Sequence, residues 1–172
     1  MARLVASWSK DPNAKVGAVI VRRNRVVATG FNGLPSEVLD QKQRLADKEI
    51  KNAMTVHAEE NALLVARRSA EGAEIFVHGK PVCPRCAGSI IQAGIIRVVA
   101  AAPAEGTDSH WDKVGQLATS MFAEARVQFH AKAAVKPKPD KSIVVEAAEK
   151  FKNMAGPEAQ VSEAPKARSK RG

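Results

Sequence analysis

The hydrophobic positions of this chain follow two spacings, one typical of strands and one typical of amphipathic helices. Runs rich in valine and isoleucine at 15–22 (KVGAVIVR) and 25–31 (RVVATGF) favour β-strands, and Arg23-Asn24 between them favours a tight hairpin turn. Further strand-like runs occur at 73–78, 95–102 and 127–129. Apolar residues three or four apart separate these runs, so the chain alternates strands with helices.

This alternation predicts an α/β fold of three layers, in which helices flank a mixed, mostly parallel sheet of about five strands. The apolar run at 95–102 (IIRVVAAA) is expected to be a strand buried on both faces. The predicted helices are the end of one helix at 1–9 with Leu4, Val5 and Trp8 as its apolar face, one that begins at Thr55, one from Cys83 to a stop at Gly94, and one over 111–125.

Two connecting segments carry polar residues that could face a ligand. Asn32-Gly33-Leu34-Pro35 follows the second strand; it is a turn by its dipeptides, but it could also present Asn32 and backbone amides to a ligand. Residues 36–54 are highly charged and are expected to form a loop with a partial helix. His110 and Trp111 either begin a helix or close a substrate pocket.

The candidate chemistry lies between His57 and Cys86. His57, Cys83 and Cys86 are three good zinc ligands, and a catalytic zinc site keeps three protein ligands and leaves a fourth position for water. Zinc lowers the pKa of its bound water to about 7. Glu59, two residues after His57, is a carboxylate that could move protons between this water and a substrate. His-x-Glu followed by Cys-x-x-Cys is the signature of zinc-dependent deaminases.

The same residues also allow simpler interpretations. Cys83-x-x-Cys86 could be a redox pair, and His57 could be a structural histidine. A redox pair needs no His-x-Glu partner, and both cysteines of the chain are already used by the proposed ligand set. A non-catalytic protein with a structural zinc is a further possibility, but such a site has no need of a proton-transferring Glu59.

Charge and composition divide the chain into two parts. The net charge is +9, of which residues 131–172 carry +5 and residues 1–130 carry +4. We expect a deaminase domain over 1–130 and a basic tail over 131–172 that is largely disordered apart from an amphipathic helix at 141–154. No window approaches the ~20 apolar residues of a membrane span, so we expect no membrane association. Without a signal peptide, the cytoplasm is the expected location.

Several ordered motifs resemble those of the deoxycytidylate deaminase family, over roughly residues 4–129. They are Ser9-Lys10-Asp11-Pro12, Val16-Gly17-Ala18-Val19-Ile20-Val21, Gly30-Phe31-Asn32-Gly33-Leu34-Pro35, His57-Ala58-Glu59 with Asn61-Ala62, Cys83-x-x-Cys86-Ala87, and Ile90-Ile91-Gln92-Ala93-Gly94-Ile95.

The resemblance implies hydrolytic deamination of a pyrimidine nucleotide, dCMP to dUMP and ammonia, with Zn²⁺ held by His57, Cys83 and Cys86. It implies that Glu59 transfers protons, and that the backbone amide of Ala58 holds the pyrimidine carbonyl. Asn32 would contact the sugar, and Lys10 and the loop that contains Gly33 would lie near the phosphate. A homo-oligomer, dimeric or hexameric, and regulation by dCTP and dTTP are further implications.

Two positions depart from the family pattern, and one alternative function shares the metal signature. Val82 stands where the family has a proline before the first cysteine, and Glu60 stands where it has a small or apolar residue. A deaminase that edits tRNA or single-stranded DNA could use the basic tail as a clamp. The aromatic residues expected of a single-strand binding surface are sparse here, which favours a free nucleotide over nucleic acid.

Overall fold

A computed structural model describes residues 1–104, 106 and 109–132 of the 172-residue chain. The tail helix predicted at 141–154 lies outside these residues. The elements are α1 (Ala2–Ala6), β1 (Gly17–Arg22), β2 (Arg25–Phe31), α2 (Lys42–Ala46), α3 (Lys48–Met54), α4 (Ala58–Ala66) with a 3₁₀ turn (Arg67–Ala70), β3 (Glu74–His78), α5 (Pro84–Gln92), β4 (Arg97–Ala101), α6 (His110–Glu124) and β5 (Gln128–Lys132).

The five strands form one mixed sheet in the order β2-β1-β3-β4-β5. β1 pairs antiparallel with both β2 and β3, whereas β3, β4 and β5 are parallel. The predicted α/β fold is confirmed, but the sheet is not mostly parallel, because two of its four pairings are antiparallel. Arg23 and Asn24 both have positive φ, of 50° and 60°, which is the backbone of the predicted tight hairpin turn.

Helices cover both faces of the sheet, and two glycines allow close approach. A Cβ atom at Gly17 would lie 2.4 Å from the carbonyl oxygen of Ala2 in α1. A Cβ atom at Gly30 would lie 2.4 Å from the carbonyl oxygen of Ala58 in α4. Helices α4, α5 and α6 contribute to the main apolar core, and α1 packs separately against Val19.

Strand β4 alternates between buried and half-buried residues, so the expectation that the run at 95–102 is buried on both faces is wrong. Val98 and Ala100 lie in the core, but Arg97 and Val99 point to the other face, which is only partly covered. Arg97 forms an ion pair with Glu74 of the adjacent strand on that face. The run is apolar in composition, yet only one of its faces is packed by helices.

The apolar face predicted for the N-terminal helix is also wrong in part. Val5 is buried, but Leu4 and Trp8 are exposed. The buried side of α1 consists of Ala2, Val5 and Ala6, because small residues let the helix lie close to the sheet. Trp8 meets Phe31 edge to face, with the ring centroids 6.2 Å apart.

Residues 36–54 contain more helix than the sequence indicates. Asp47 ends α2 and caps α3, where its side chain accepts hydrogen bonds from the N–H groups of Glu49 and Ile50. Lys51 of α3 is buried, and its Nζ atom lies 2.9 Å from Oδ1 of Asp11. This ion pair attaches the charged segment to the turn before β1.

The longest helix in the described part of the chain is α6, with 15 residues. Within that part, none of the helices has the length and apolar character needed to cross a lipid bilayer.

Candidate metal centre and active site

His57 stands immediately before the first residue of α4, in an extended conformation. The two residues before it cannot belong to the helix, because Val56 forms backbone hydrogen bonds with Gly33 in both directions, at 2.9 and 3.2 Å. The predicted helix start at Thr55 is therefore three residues too early. The same contact fixes the loop after β2 beside the histidine.

Both cysteines lie at the start of α5. Cys83 caps the helix, Pro84 takes its first position, where no N–H donor is needed, and Cys86 follows within the first turn. The unpaired N–H groups and the positive dipole end of a helix favour thiolates at this place. The sequence predicted this helix start correctly, and Gly94, with φ of 73°, follows the helix end as predicted.

The three predicted ligands converge to a geometry that suits zinc. Nδ1 of His57 lies 3.2 Å from Sγ of Cys86 and 3.5 Å from Sγ of Cys83. All three ligand atoms lie within 4.8 Å of one another. Zn–S bonds of about 2.3 Å and Zn–N bonds of about 2.0 Å in a tetrahedron would place ligand atoms roughly 3.5–3.8 Å apart. The set therefore fits a zinc ion with one position left for a small molecule.

Hydrogen bonds within the ligand set shift the pKa values of all three ligands. A hydrogen bond with Cys86 lowers the pKa of Cys83 to about 4, although burial opposes this change. The same bond, together with burial, raises the pKa of Cys86. The hydrogen bond with Cys83 raises the pKa of His57 above its ordinary value. Because metal binding needs deprotonated ligands, this cluster would release protons as zinc binds.

Glu59 is the second residue of α4 and is 4% exposed. Burial raises the pKa of its carboxyl group to about 7. A carboxyl group with a pKa near neutrality can both accept and return a proton at physiological pH. Glu59 lines the same cavity as His57 and Cys83, so its placement suits a proton-transferring residue.

Glu60 differs from Glu59 in its surroundings. Its carboxylate lies 3.3 Å from the guanidinium group of Arg85, and both side chains are substantially exposed. The pair connects α4 with α5, and exposed pairs of this kind contribute less than about 1 kcal/mol. The charge of Glu60, which departs from the family pattern, thus has a partner on the neighbouring helix. Val82, the other departure, is buried in the core.

A cavity of about 820 Å³ opens next to the ligand set. Basic and polar side chains from distant parts of the chain line it, among them Lys48 and Lys80. His110 and Trp111 also line it, so they belong both to the start of α6 and to the pocket wall. Nζ of Lys80 lies 5.2 Å from the ring centroid of Trp111, in a cation–π contact.

The structure brings together some of the predicted substrate-binding residues but not all. Ala58 and Asn32 line the cavity. The Asn32 side chain accepts a hydrogen bond from the Val16 N–H at 2.8 Å and donates one to the Ala14 carbonyl at 2.9 Å. Gly33 and Lys10 are not among the lining residues, and Lys10 is exposed and paired with Asp40 at 2.7 Å.

Asp11 and Lys51 both line the cavity, and the ion pair between them was not predicted from the sequence. Burial alone would raise the pKa of Asp11, but hydrogen bonds from Lys51, Asn13 and Ala14 hold it below its ordinary value. Forty positions separate the two partners, and Lys51 lies in a segment without apolar periodicity. The only sequence signal was Asp11 itself, as part of the Ser9–Pro12 motif.

A His-Cys-Cys ligand set beside a buried glutamate, on two helix starts of a five-stranded α/β sheet, defines a zinc-dependent hydrolytic deaminase. Residues 1–102 match the family model of the cytidine and deoxycytidylate deaminase zinc-binding region. The chain belongs to this family. It is a zinc enzyme that hydrolyses C–N bonds, which confirms the predicted reaction type and the predicted metal.

Two known proteins illustrate the relationship in sequence. An uncharacterized deaminase from the luxG 3′ region of Aliivibrio fischeri is 48% identical over 128 residues, which cover 74% of this chain and 86% of that protein. Human deoxycytidylate deaminase is 39% identical over 106 residues, 58% of this chain and 59% of the human enzyme. This chain therefore matches less than two thirds of the human protein's length.

A solved structure shares the fold. The dCMP deaminase of cyanophage S-TIM5, crystallised with dCMP and dUMP, superimposes with a TM-score of 0.59 and 26% identity, over 76% of this chain and 90% of that one. The mixed five-stranded sheet flanked by helices is thus the fold of that dCMP deaminase.

Proposed function

We propose that this protein converts dCMP to dUMP and ammonia. The observation that carries the proposal is the buried Glu59 carboxyl group beside the His57, Cys83 and Cys86 atoms, within a cavity whose other walls carry basic side chains. Relatives named deoxycytidylate deaminase and a fold neighbour crystallised with dCMP and dUMP support this substrate.

His57, Cys83 and Cys86 would hold the zinc ion, which supplies a water molecule acidic enough to be a nucleophile at neutral pH. Glu59 takes one proton from the attacking water and passes it to N3 of the cytosine ring. It then takes the second proton from the new hydroxyl group on C4 and gives it to the departing amine, so that the C4–N bond breaks, ammonia leaves and the C4 carbonyl forms. Its near-neutral pKa suits each of these transfers. The N–H group of Ala58 has no acceptor within its own helix at that position, and it is available to the pyrimidine carbonyl oxygen.

Lys48 and Lys80 are the groups that we assign to the 5′-phosphate. Both line the cavity, and neither takes part in an ion pair among residues 1–104, 106 and 109–132. Unpaired ammonium groups on a cavity wall attract an anionic ligand. Lys10 is a weaker candidate than the sequence indicated, because Asp40 already neutralises it on the surface. Asn32 remains the candidate for the sugar.

The substrate assignment is tested by ammonia release from the zinc-loaded protein. The assay offers dCMP, CMP, deoxycytidine, dCTP and a short cytosine-containing single strand separately. We expect dCMP to have the highest kcat/KM of the five, and to exceed deoxycytidine by at least about tenfold, since phosphate contacts with charged groups are each worth more than a neutral hydrogen bond. Preference for the single strand would overturn the proposal in favour of nucleic-acid editing.

The predicted homo-oligomer and the predicted regulation by dCTP and dTTP belong to the same proposal. They rest on the resemblance to deoxycytidylate deaminases. Analytical ultracentrifugation of the full chain, with and without each triphosphate, measures the assembly. Steady-state rates at sub-saturating dCMP measure the effect of dCTP and dTTP, and we expect each triphosphate to change the rate.

A further inference from the structure

One oxygen atom of the Asp11 carboxylate carries all the hydrogen bonds of that side chain within the described chain. Oδ1 accepts from the N–H groups of Asn13 at 2.8 Å and Ala14 at 3.1 Å, and from Nζ of Lys51 at 2.9 Å. No donor among residues 1–104, 106 and 109–132 reaches Oδ2. No side-chain oxygen or nitrogen in this part of the chain is both fully buried and unpartnered. Oδ2 therefore keeps solvent access, and Asp11 lines the cavity beside the metal ligands.

The surroundings of Asp11 allow this oxygen to face an anionic ligand. The residue is only 8% exposed, and Lys51, which is 4% exposed, neutralises its charge. An unpaired carboxylate in the cavity would repel a nucleotide phosphate, whereas a neutralised pair does not. What remains at Oδ2 is a strong hydrogen-bond acceptor held rigidly by three donors on the other oxygen.

Asn32 provides a complementary donor next to Asp11. The Ser9 hydroxyl connects the backbones of the two residues, because it accepts a hydrogen bond from the backbone N–H of Asp11 at 3.2 Å and donates one to the backbone carbonyl of Asn32 at 2.8 Å. Asn32 also lines the cavity. Its side chain accepts a hydrogen bond from the Val16 N–H and donates one N–H to the Ala14 carbonyl, so its second N–H has no hydrogen bond within the described residues. An acceptor beside a donor matches a hydroxyl group, which both donates and accepts.

A cytosine deoxynucleotide offers few donors to such an acceptor. Its phosphate oxygens and its pyrimidine carbonyl only accept, and its amino group must face the metal and Glu59 for deamination. The hydroxyl group of the sugar is the remaining donor. We propose that Oδ2 of Asp11 accepts a hydrogen bond from the 3′-hydroxyl of the bound nucleotide, so that Asp11 selects substrates with a hydroxylated sugar. This assignment rests on the proposed function.

The test compares dCMP with 2′,3′-dideoxycytidine 5′-monophosphate, which lacks only the 3′-hydroxyl. For the wild-type zinc protein, we expect kcat/KM for the dideoxy compound to be about tenfold to a hundredfold lower, as for the loss of one hydrogen bond to a charged group. In Asp11→Asn, the amide oxygen stays with the three donors and an NH₂ group replaces Oδ2. The ratio between the two substrates should then shrink to about threefold or less.

Asp40→Asn is the matched control, because Asp40 pairs with Lys10 outside the cavity. It should keep the wild-type ratio. A merely structural role for Asp11 would lower both rates in Asp11→Asn and leave the ratio unchanged, which would overturn the assignment. If Asp11→Asn does not fold, Asp11→Glu keeps the charge opposite Lys51 but displaces the carboxylate by one methylene. Asp11→Glu should also lower the ratio of kcat/KM for dCMP to kcat/KM for the dideoxy compound. An unchanged ratio in this variant would count against the assignment.

The kinetics of the wild-type protein on the two nucleotides also test the assignment of Asp11 without any variant. Equal kcat/KM for the two nucleotides, with good turnover of dCMP, would overturn the assignment of Asp11 and leave the proposed function intact. Absence of turnover of either nucleotide would overturn the proposed function, and the assignment of Asp11 with it.

Discussion

Gly30 of β2 lies against the backbone of Ala58, so closely that a Cβ atom at position 30 would be 2.4 Å from the Ala58 carbonyl oxygen. The neighbours of Ala58 in sequence are His57 and Glu59. The distance between sheet and helix therefore sets the position of one metal ligand and of the proton-transferring residue.

We predict that Gly30→Ala destabilises the protein by roughly 1–3 kcal/mol, because the added methyl group must displace backbone atoms rather than a flexible side chain. The displacement moves the start of α4, so zinc affinity should also fall. Thermal unfolding and a zinc titration measure the two effects. Gly88→Ala is the control, since its Cβ would meet only Cε of Met121 at 3.9 Å and alanine favours a helix by about 1 kcal/mol. Equal stability of Gly30→Ala and wild type would contradict the account.

The Asp11–Lys51 pair should make stability depend on pH in the acid range. The pKa of Asp11 is lower in the folded protein than in the unfolded chain, so its stabilising effect is complete above the unfolded pKa of about 4 and is lost as the pH falls through the folded value. Asp11→Asn should lower the free energy of unfolding by roughly 3 kcal/mol at pH 7, since it leaves Lys51 buried without its counter-charge.

This difference between wild type and Asp11→Asn should shrink as the pH is lowered from 5 to 3, as measured by urea unfolding. Loss of zinc at low pH affects both proteins and cancels in the difference. Asp40→Asn should change stability by less than about 1 kcal/mol, because its pair with Lys10 is exposed. A difference that stays constant between pH 5 and pH 3 would show that the Asp11 carboxylate is not the source of the effect.

Sequence reasoning identified the metal ligands because their chemistry is local. His57-x-Glu59 and Cys83-x-x-Cys86 each sit at one helix start, and short-range spacing determines how each pair is presented. The hairpin of β1 and β2 could equally be predicted from the sequence, since Arg23-Asn24 suits the turn. These features depend on neighbours within a few residues.

Features that depend on distant neighbours were missed or wrong. Lys51 is buried only because Asp11 lies opposite, 40 positions earlier in the chain. The sequence predicts an apolar face that includes Leu4, but α1 presents its small residues to the sheet. The apolar run at 95–102 looked buried on both sides, although helices pack only one face of β4. In each case the outcome depends on which element lies across the sheet or cavity, and local periodicity does not contain that information.

Lys80 should matter for the phosphate of the substrate rather than for the base. We expect Lys80→Gln to lower kcat/KM for dCMP by about tenfold, as for the loss of a hydrogen bond between charged groups, and to leave deoxycytidine nearly unaffected. Lys10→Gln, which removes an equal charge outside the cavity, should change neither rate. Steady-state kinetics of both variants on both substrates make the comparison. An equal loss on dCMP and deoxycytidine would assign Lys80 to packing against Trp111 instead.

Removal of zinc should abolish turnover and lower the thermal midpoint, because an ion that binds only the folded protein stabilises it. Chelation followed by dialysis gives the metal-free protein. Zn²⁺ should restore both activity and stability, whereas Mg²⁺ should not, since it prefers oxygen ligands over thiolates. Full activity in protein shown by metal analysis to lack zinc would contradict the assignment of His57, Cys83 and Cys86.

The central claim is that Glu59 transfers protons next to a zinc ion, and two adjacent glutamates allow a matched comparison. Glu59 is buried and lines the cavity, whereas Glu60 forms an ion pair with Arg85 on the surface. The measurement is ammonia release from dCMP by Glu59→Gln and Glu60→Gln, with zinc content determined on the same samples. We predict that Glu59→Gln keeps its zinc and loses at least about a hundredfold in kcat, while Glu60→Gln stays near wild type. Substantial turnover by zinc-loaded Glu59→Gln would contradict the account.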